Sequence, residues 1–168
     1  IDQLSKAIWL KIFRVQDVVS ENDNEYLLSD IESKQLTESI EINFDTSFVI
    51  SKNNLLYGLC EIKNRDYLFS LNLNKSKQEI CKIKKFDYFV GNLSSNISAN
   101  LFSWIEWNND SMPWESNALF FATIDKDGKI QKIKKFTNNL INEGKNVSFF
   151  QPYWISDNLL VCSCLLYT

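Results

Sequence analysis

The chain has 168 residues with a formal net charge of −3, 45% hydrophobic and 14% aromatic residues, four cysteines and no histidine. That length suits one domain with its own core, and the apolar content excludes a disordered chain. The acidic balance argues against nucleic acid as a partner, since a binding surface needs a basic excess to neutralise phosphates. The missing histidine, with no Gly-x-Ser-x-Gly elbow, excludes a serine triad within these residues.

The sequence starts at Ile1 without an initiator methionine or a charged-then-apolar leader, so a fragment or processed piece is expected. No apolar run is long enough for a membrane helix, which predicts no membrane partner. Residues 8–15 and 25–31 alternate as strands around an acidic polar loop, with 35–37 as a last edge strand. Residues 1–40 are accordingly expected to form a degenerate or truncated unit.

From residue 44 an internal repeat takes over. Strands are predicted over 47–50, 54–60, 67–73 and 80–86, then over 91–97, 100–107, 118–124 and 130–136, and again over 147–154 and 158–163. Each hairpin alternates apolar and polar residues, and Asp127-Gly128 is a strong tight-turn signal. Both outer hairpins end in Ile-Lys-Lys-Phe, at 83–86 and 133–136. The lysines at 82, 84, 85 and at 132, 134, 135 alternate with isoleucine as the wet face of a strand does, which favours a solvated edge over a basic patch. Four short strands in about 45–55 residues is the size of a propeller blade. The predicted fold class is all-β, an incomplete β-propeller of about three four-stranded antiparallel blades plus a partial one. Its segments are a degenerate blade over 1–40, blades over 44–86 and 88–136, and a truncated blade over 146–168. Residues 138–143 are read as a loop.

Several signals stay weak. Cys162 and Cys164 share one strand face without a second cysteine pair, so buried thiols in a reducing, cytoplasmic compartment are expected in place of a zinc site. Asp125 and Asp127 flank a turn without the twelve-residue pattern of a calcium loop. The sequence predicts no cofactor and no metal.

Two aromatic segments break the strand pattern: Trp104-Ile105-Glu106-Trp107 running into Met112-Pro113-Trp114-Glu115, and Phe149-Phe150-Gln151-Pro152-Tyr153-Trp154. Their order and spacing resemble the propeller of the prolyl oligopeptidase family, in its acylaminoacyl-peptidase or dipeptidyl aminopeptidase branch, from about residue 55 to 162. Two departures are visible. No His-Glu-Tyr-Gly-Gly-like segment precedes the first full blade, and Cys164 to Thr168 stand where a Gly-Trp-Trp-Asn-Leu-Tyr-like strand is usual. The resemblance implies a non-catalytic propeller that gates substrate access and docks the α/β-hydrolase domain of the same parent chain, with short peptides as substrates. The residues expected at that substrate rim or interdomain surface are Trp104, Glu106, Trp107, Met112, Trp114, Glu115, Gln151, Tyr153 and Trp154. Phe149 to Trp154 is expected as a loop entering a first strand, meeting Met112 to Glu115 on one rim. The competing readings are packing of the tryptophans between blades, a free-standing interaction module, and a gene fragment with no independent function. Glu106 and Glu115 are the carboxylates to watch, as acid–base candidates or as solvated and turn-capping groups.

Overall fold

The structure is a computed structural model that describes residues 9–19, 24–35, 42–75, 79–137, 141 and 143–167. These residues form antiparallel strands joined by turns and loops. A hairpin of β1 (Trp9–Val19) and β2 (Asn24–Gln35) comes first. A four-stranded sheet follows in the order β3 (Asn43–Ile50), β4 (Leu55–Glu61), β5 (Asp66–Asn72) and β6 (Cys81–Lys85). A second repeats it with β7 (Phe89–Ser95), β8 (Leu101–Trp107), β9 (Ala118–Ile124) and β10 (Ile130–Lys135). A last pair joins β11 (Asn146–Trp154) to β12 (Leu160–Tyr167). Strand β7 packs between β3 and β11, so these three are the inner strands of successive blades. The architecture is that of a partial β-propeller, with two complete blades and two two-stranded sheets. The predicted continuation past Gln35 and most of 138–143 lie outside the described residues.

The repeat folds this way because each sheet is an uninterrupted meander of hairpins, whose tight turns need no crossover. The β9–β10 turn illustrates the chemistry. Asp125 Oδ1 accepts the backbone N–H groups of Asp127 and Lys129, both at 2.9 Å, and Gly128 takes a φ of +83°. Those bonds, that of Lys129 first, hold the exposed Asp125 carboxyl below its ordinary value. A Cβ on Gly128 would also come within 2.8 Å of Tyr57 Oη in the preceding blade, so glycine is required there twice over.

The inner strands each carry an irregularity. Register slips between Gly91 and Ser94 in β7 and between Phe150 and Tyr153 in β11, one extra residue each time. The residues inside those bulges, Asn92 and Gln151, have φ of 56° and 49°. A bulge bends the strand and re-aims the side chains beyond it.

Burial follows the sheets. Between the two complete blades, Tyr57, Leu59, Leu68 and Phe86 pack with Phe102, Trp104, Ala122 and Ile124. Blade two presents Ile105 and Leu119 to Val147 and Phe149 of β11. A third cluster, of Leu56, Cys60, Phe69 and Leu71, belongs to the first complete blade. Lys82 and Lys84 of the outer strand β6 lie over the rings of Tyr67 and Phe86, at 4.8 and 4.5 Å, their stems covering apolar surface while their charges stay wet. All four cysteines are free thiols: Cys60 is buried, Cys162 half-buried, and Cys81 and Cys164 are exposed.

Candidate interdomain rim

Successive strands of a meander alternate direction, so the β4–β5, β6–β7, β8–β9 and β10–β11 connections emerge at one end of the molecule. Among the described residues, clefts open there in two places. The larger, about 380 Å³, lies between the complete blades and is lined by Glu61, Asn64, Arg65, Asp66, Phe86, Asp87, Tyr88, Phe89 and Asn109. The smaller, about 220 Å³, shares Tyr88 and reaches Glu106, Trp107, Asn117 and Lys135.

The loop from β8 to β9 borders both clefts and is held by its own polar groups. Glu115 Oε2 accepts the N–H of Met112 at 2.8 Å, while Glu115 N–H donates to the Met112 carbonyl at 2.9 Å. Ser111 Oγ and Asn108 Oδ1 close the preceding turn at 2.6 Å. The segment is thus a self-capped turn that presents Met112 and Trp114 to solvent, 53% and 51% exposed. Glu115 is the group that caps it. Glu106 instead serves the core, where its Oε1 accepts the Nε1–H of buried Trp104 at 2.7 Å.

The sequence candidates therefore separate. Trp104 is fully buried between the blades, stacked on Phe120 and edge-on to Phe86, and it has no access to a ligand on the rim. Trp107 is half-buried against Phe89, lining the smaller cleft. Trp154 is buried too, edge-on to Phe121, with its Nε1–H donated to Ser103 Oγ at 3.0 Å. Of the two expectations for these residues, the strand over 147–154 holds and the entering loop over 149–154 is corrected: they lie within β11, and Gln151-Pro152 is its bulge. Proline fits there because a bulge leaves one backbone position outside the ladder. As a result Gln151 and Tyr153 are exposed on the inner strand, toward the end of β11 opposite the Met112 loop. Met112, Trp114 and Glu115 stay together on one rim with Glu106 and Trp107 behind them.

The two aromatic segments are instead bridged by a residue that sequence reasoning missed, and which also donates to the Pro113 carbonyl at 2.7 Å. Asn117, the last residue of the loop, donates Nδ2–H to the Phe149 carbonyl at 2.8 Å and accepts the Phe149 N–H on Oδ1 at 2.7 Å. Its counterpart one blade earlier is Asp66, whose Oδ2 accepts the Val90 N–H of β7 at 3.2 Å. The repeat aligns Asp66 with Asn117, directly before Tyr67-Leu68-Phe69 and Ala118-Leu119-Phe120, and that alignment was the available signal. Burial pushes the Asp66 carboxyl up, partly opposed by the Val90 bond and reinforced by Glu61 and Asp45. At the opposite end, Asp157 after β11 grips the β7–β8 turn, accepting Ser98 N–H at 2.8 Å and Ser98 Oγ–H at 2.7 Å. These bonds hold its carboxyl below the ordinary value.

No protein-family profile and no curated protein matches the chain by sequence. Among solved structures it is similar to a puromycin-hydrolyzing peptidase of Mycobacterium tuberculosis, at 15% identity and a TM-score of 0.63 over 95% of this chain. Puromycin hydrolase itself matches at 15% identity and a TM-score of 0.66 over 93%. A mutant of that hydrolase complexed with PGG matches at 14% identity and 0.66, again over 93%. The chain spans 27% of the length of each of these proteins. Its fold is that of the propeller part of these peptidases.

Proposed function

We propose that the chain is the non-catalytic propeller segment of a serine peptidase of the prolyl-oligopeptidase type. In this reading the Met112–Glu115 rim docks an α/β-hydrolase domain of the same parent polypeptide and narrows the path of short peptides to it. The observation that carries the proposal is the fold likeness over nearly the whole chain to peptidases of which it spans 27%. The Trp-x-Glu-Trp, Met-Pro-Trp-Glu and Phe-Gln-Pro-x-Trp segments support it independently. The exposed Met112 and Trp114 suit an interdomain contact, because apolar side chains on a stiff, self-capped turn lose little freedom on docking. Free thiols suit a cytoplasmic setting.

The test is the parent polypeptide. Its further sequence should carry Gly-x-Ser-x-Gly and a histidine, and it should cleave aminoacyl or short peptidyl chromogenic substrates. Replacing Met112 and Trp114 together by alanine should change the ratio of kcat/KM between short and long peptides. A parent without nucleophile and histidine would sink the proposal. The same exposed pair keeps a second reading in view, a free-standing module that binds a protein or peptide through this rim. That reading is favoured if the 168-residue chain alone retains a partner without hydrolysing it.

A further inference from the structure

Asp66 and Asn117 hold the same place in two successive blades, where the chain enters the third strand. Their targets on the next inner strand are equivalent too. Val90 and Phe149 each stand two residues before the positive-φ residue of a bulge, Asn92 in β7 and Gln151 in β11. Asn117 makes two short bonds there, one to each backbone group of Phe149, at 2.7 and 2.8 Å. Asp66 makes one bond on Val90, accepting its N–H at 3.2 Å.

The difference lies in the side chain. In a strand the N–H and C=O of one residue point to the same side, so Val90 turns its carbonyl toward Asp66 as Phe149 does toward Asn117. An amide offers a donor and an acceptor, whereas a carboxylate only accepts. Asp66 can therefore bond the Val90 carbonyl only when it carries a proton. Its surroundings favour that proton. Burial raises the half-buried carboxyl above its ordinary value, the Val90 N–H offsets part of the rise, and Glu61 of β4 and Asp45 of β3 add to it. Arg65, Asp87 and Tyr88 line the same cleft, Lys84 and Lys85 stand on the neighbouring strand β6, and β7 itself brings no titratable side chain.

We propose that Asp66 is a proton-operated latch between the two complete blades: protonated, it donates to the Val90 carbonyl while accepting the Val90 N–H, and ionised it keeps only the second bond. The proton comes from solvent in the cleft and returns to it, forming and breaking one O–H bond. In the latched form the first junction matches the second, where Asn117 holds both backbone groups whatever the pH. Protonation also removes one of the three carboxylate charges that line the larger cleft, those of Glu61, Asp66 and Asp87. Closing the latch and reducing the negative charge at this rim are thus a single event. The inference rests on the internal repeat and is independent of the peptidase reading.

Exchanging the two residues tests it, read by hydrogen exchange in β7 and β11 of the 168-residue chain. Protection factors, which take out the intrinsic pH dependence of exchange, should rise in β7 by about fivefold from neutral to mildly acid buffer, the worth of one net hydrogen bond. Those of β11 should stay level, because Asn117 does not titrate and Asp157 is ionised down to below 3.8. Asp66→Asn should hold β7 at its acid level throughout. Asn117→Asp should transfer the acid dependence to β11. The Asp66 carboxyl carbon, followed by nuclear magnetic resonance, should titrate with the same midpoint as β7 protection. A β7 profile that is flat in the parent chain, or that keeps its slope in Asp66→Asn, overturns the proposal. So does an Asp66→Asn chain whose β7 is no better protected at neutral pH. If Asn117→Asp does not fold, the Asp66→Asn comparison decides alone.

Discussion

The two junctions that flank the second complete blade do the same job with different chemistry. Between the complete blades the contact is a thick aromatic seam in which Tyr57, Phe86, Phe102 and Trp104 are all at most 1% exposed and meet in edge-on pairs. Between blade two and β11 the apolar contact is thinner, led by Ile105, Leu119, Val147 and Phe149. There, directional bonds take a larger share: Asn117 on the Phe149 backbone, Trp154 on Ser103, and Asp157 on Ser98. A sheet of four strands can be positioned by area alone, because burial is large and not directional. A two-stranded sheet offers less area, and hydrogen bonds fix its register as well as its distance.

This contrast can be broken from either side. Trp104→Ala should be the most damaging change, costing about 3–5 kcal/mol in chemical denaturation, because it opens a cavity in the seam and strips Glu106 of its donor. A loss below about 1 kcal/mol would mean the seam is not the main hold. Asn117→Ala should cost about 2–3 kcal/mol, since two partly buried backbone groups of Phe149 lose their partner at once. If the second junction depends on such bonds, hydrogen exchange should rise in β11 and β12 while β4 and β5 stay protected. Trp154→Phe keeps an aromatic ring and removes the Nε1–H, leaving Ser103 Oγ short of its donor; about 1–2 kcal/mol is expected by the same measurement.

Acid separates the junctions by sign. Burial raises the folded Asp66 carboxyl above 3.8, so its contribution to stability is full below that pH and is lost as pH rises through the higher folded value. The Ser98 bonds lower the folded Asp157 carboxyl below 3.8, so its contribution is present above that pH and is lost as pH falls through the lower folded value. Melting temperatures of Asp66→Asn and Asp157→Asn between mildly acid and strongly acid buffer should therefore diverge from the parent chain in opposite directions. Parallel curves would remove the distinction. The Asp157 effect should be the smaller, because that carboxylate is solvent-exposed.

The sequence exposed the hairpins of the complete blades because alternation of apolar and polar residues is a local signal. The tryptophans show where local signals stop. Trp104 and Trp114 each stand within two residues of a glutamate, yet one is sealed in the seam and the other stands half in solvent. Their difference depends on Trp104 sitting in a strand whose face meets another blade, which no short window contains. Gln151-Pro152 was misplaced for a related reason. Proline signals a turn, and a bulge inside an inner strand satisfies the same backbone restriction without ending the strand. Asp66 and Asn117 were visible as equivalent repeat positions, but their partners Val90 and Phe149 lie 24 and 32 residues away.

Cys60 gives the molecule a built-in clock. Its thiol is buried in β4 and pushed up to about 11, with desolvation as the first cause, so it is essentially unreactive toward alkylating reagents at neutral pH while the sheet is closed. The exposed Cys81 and Cys164 should be consumed early, and Cys60 should then be modified only as often as the first complete blade opens. Counting labels against time would time the breathing of one blade without adding a probe.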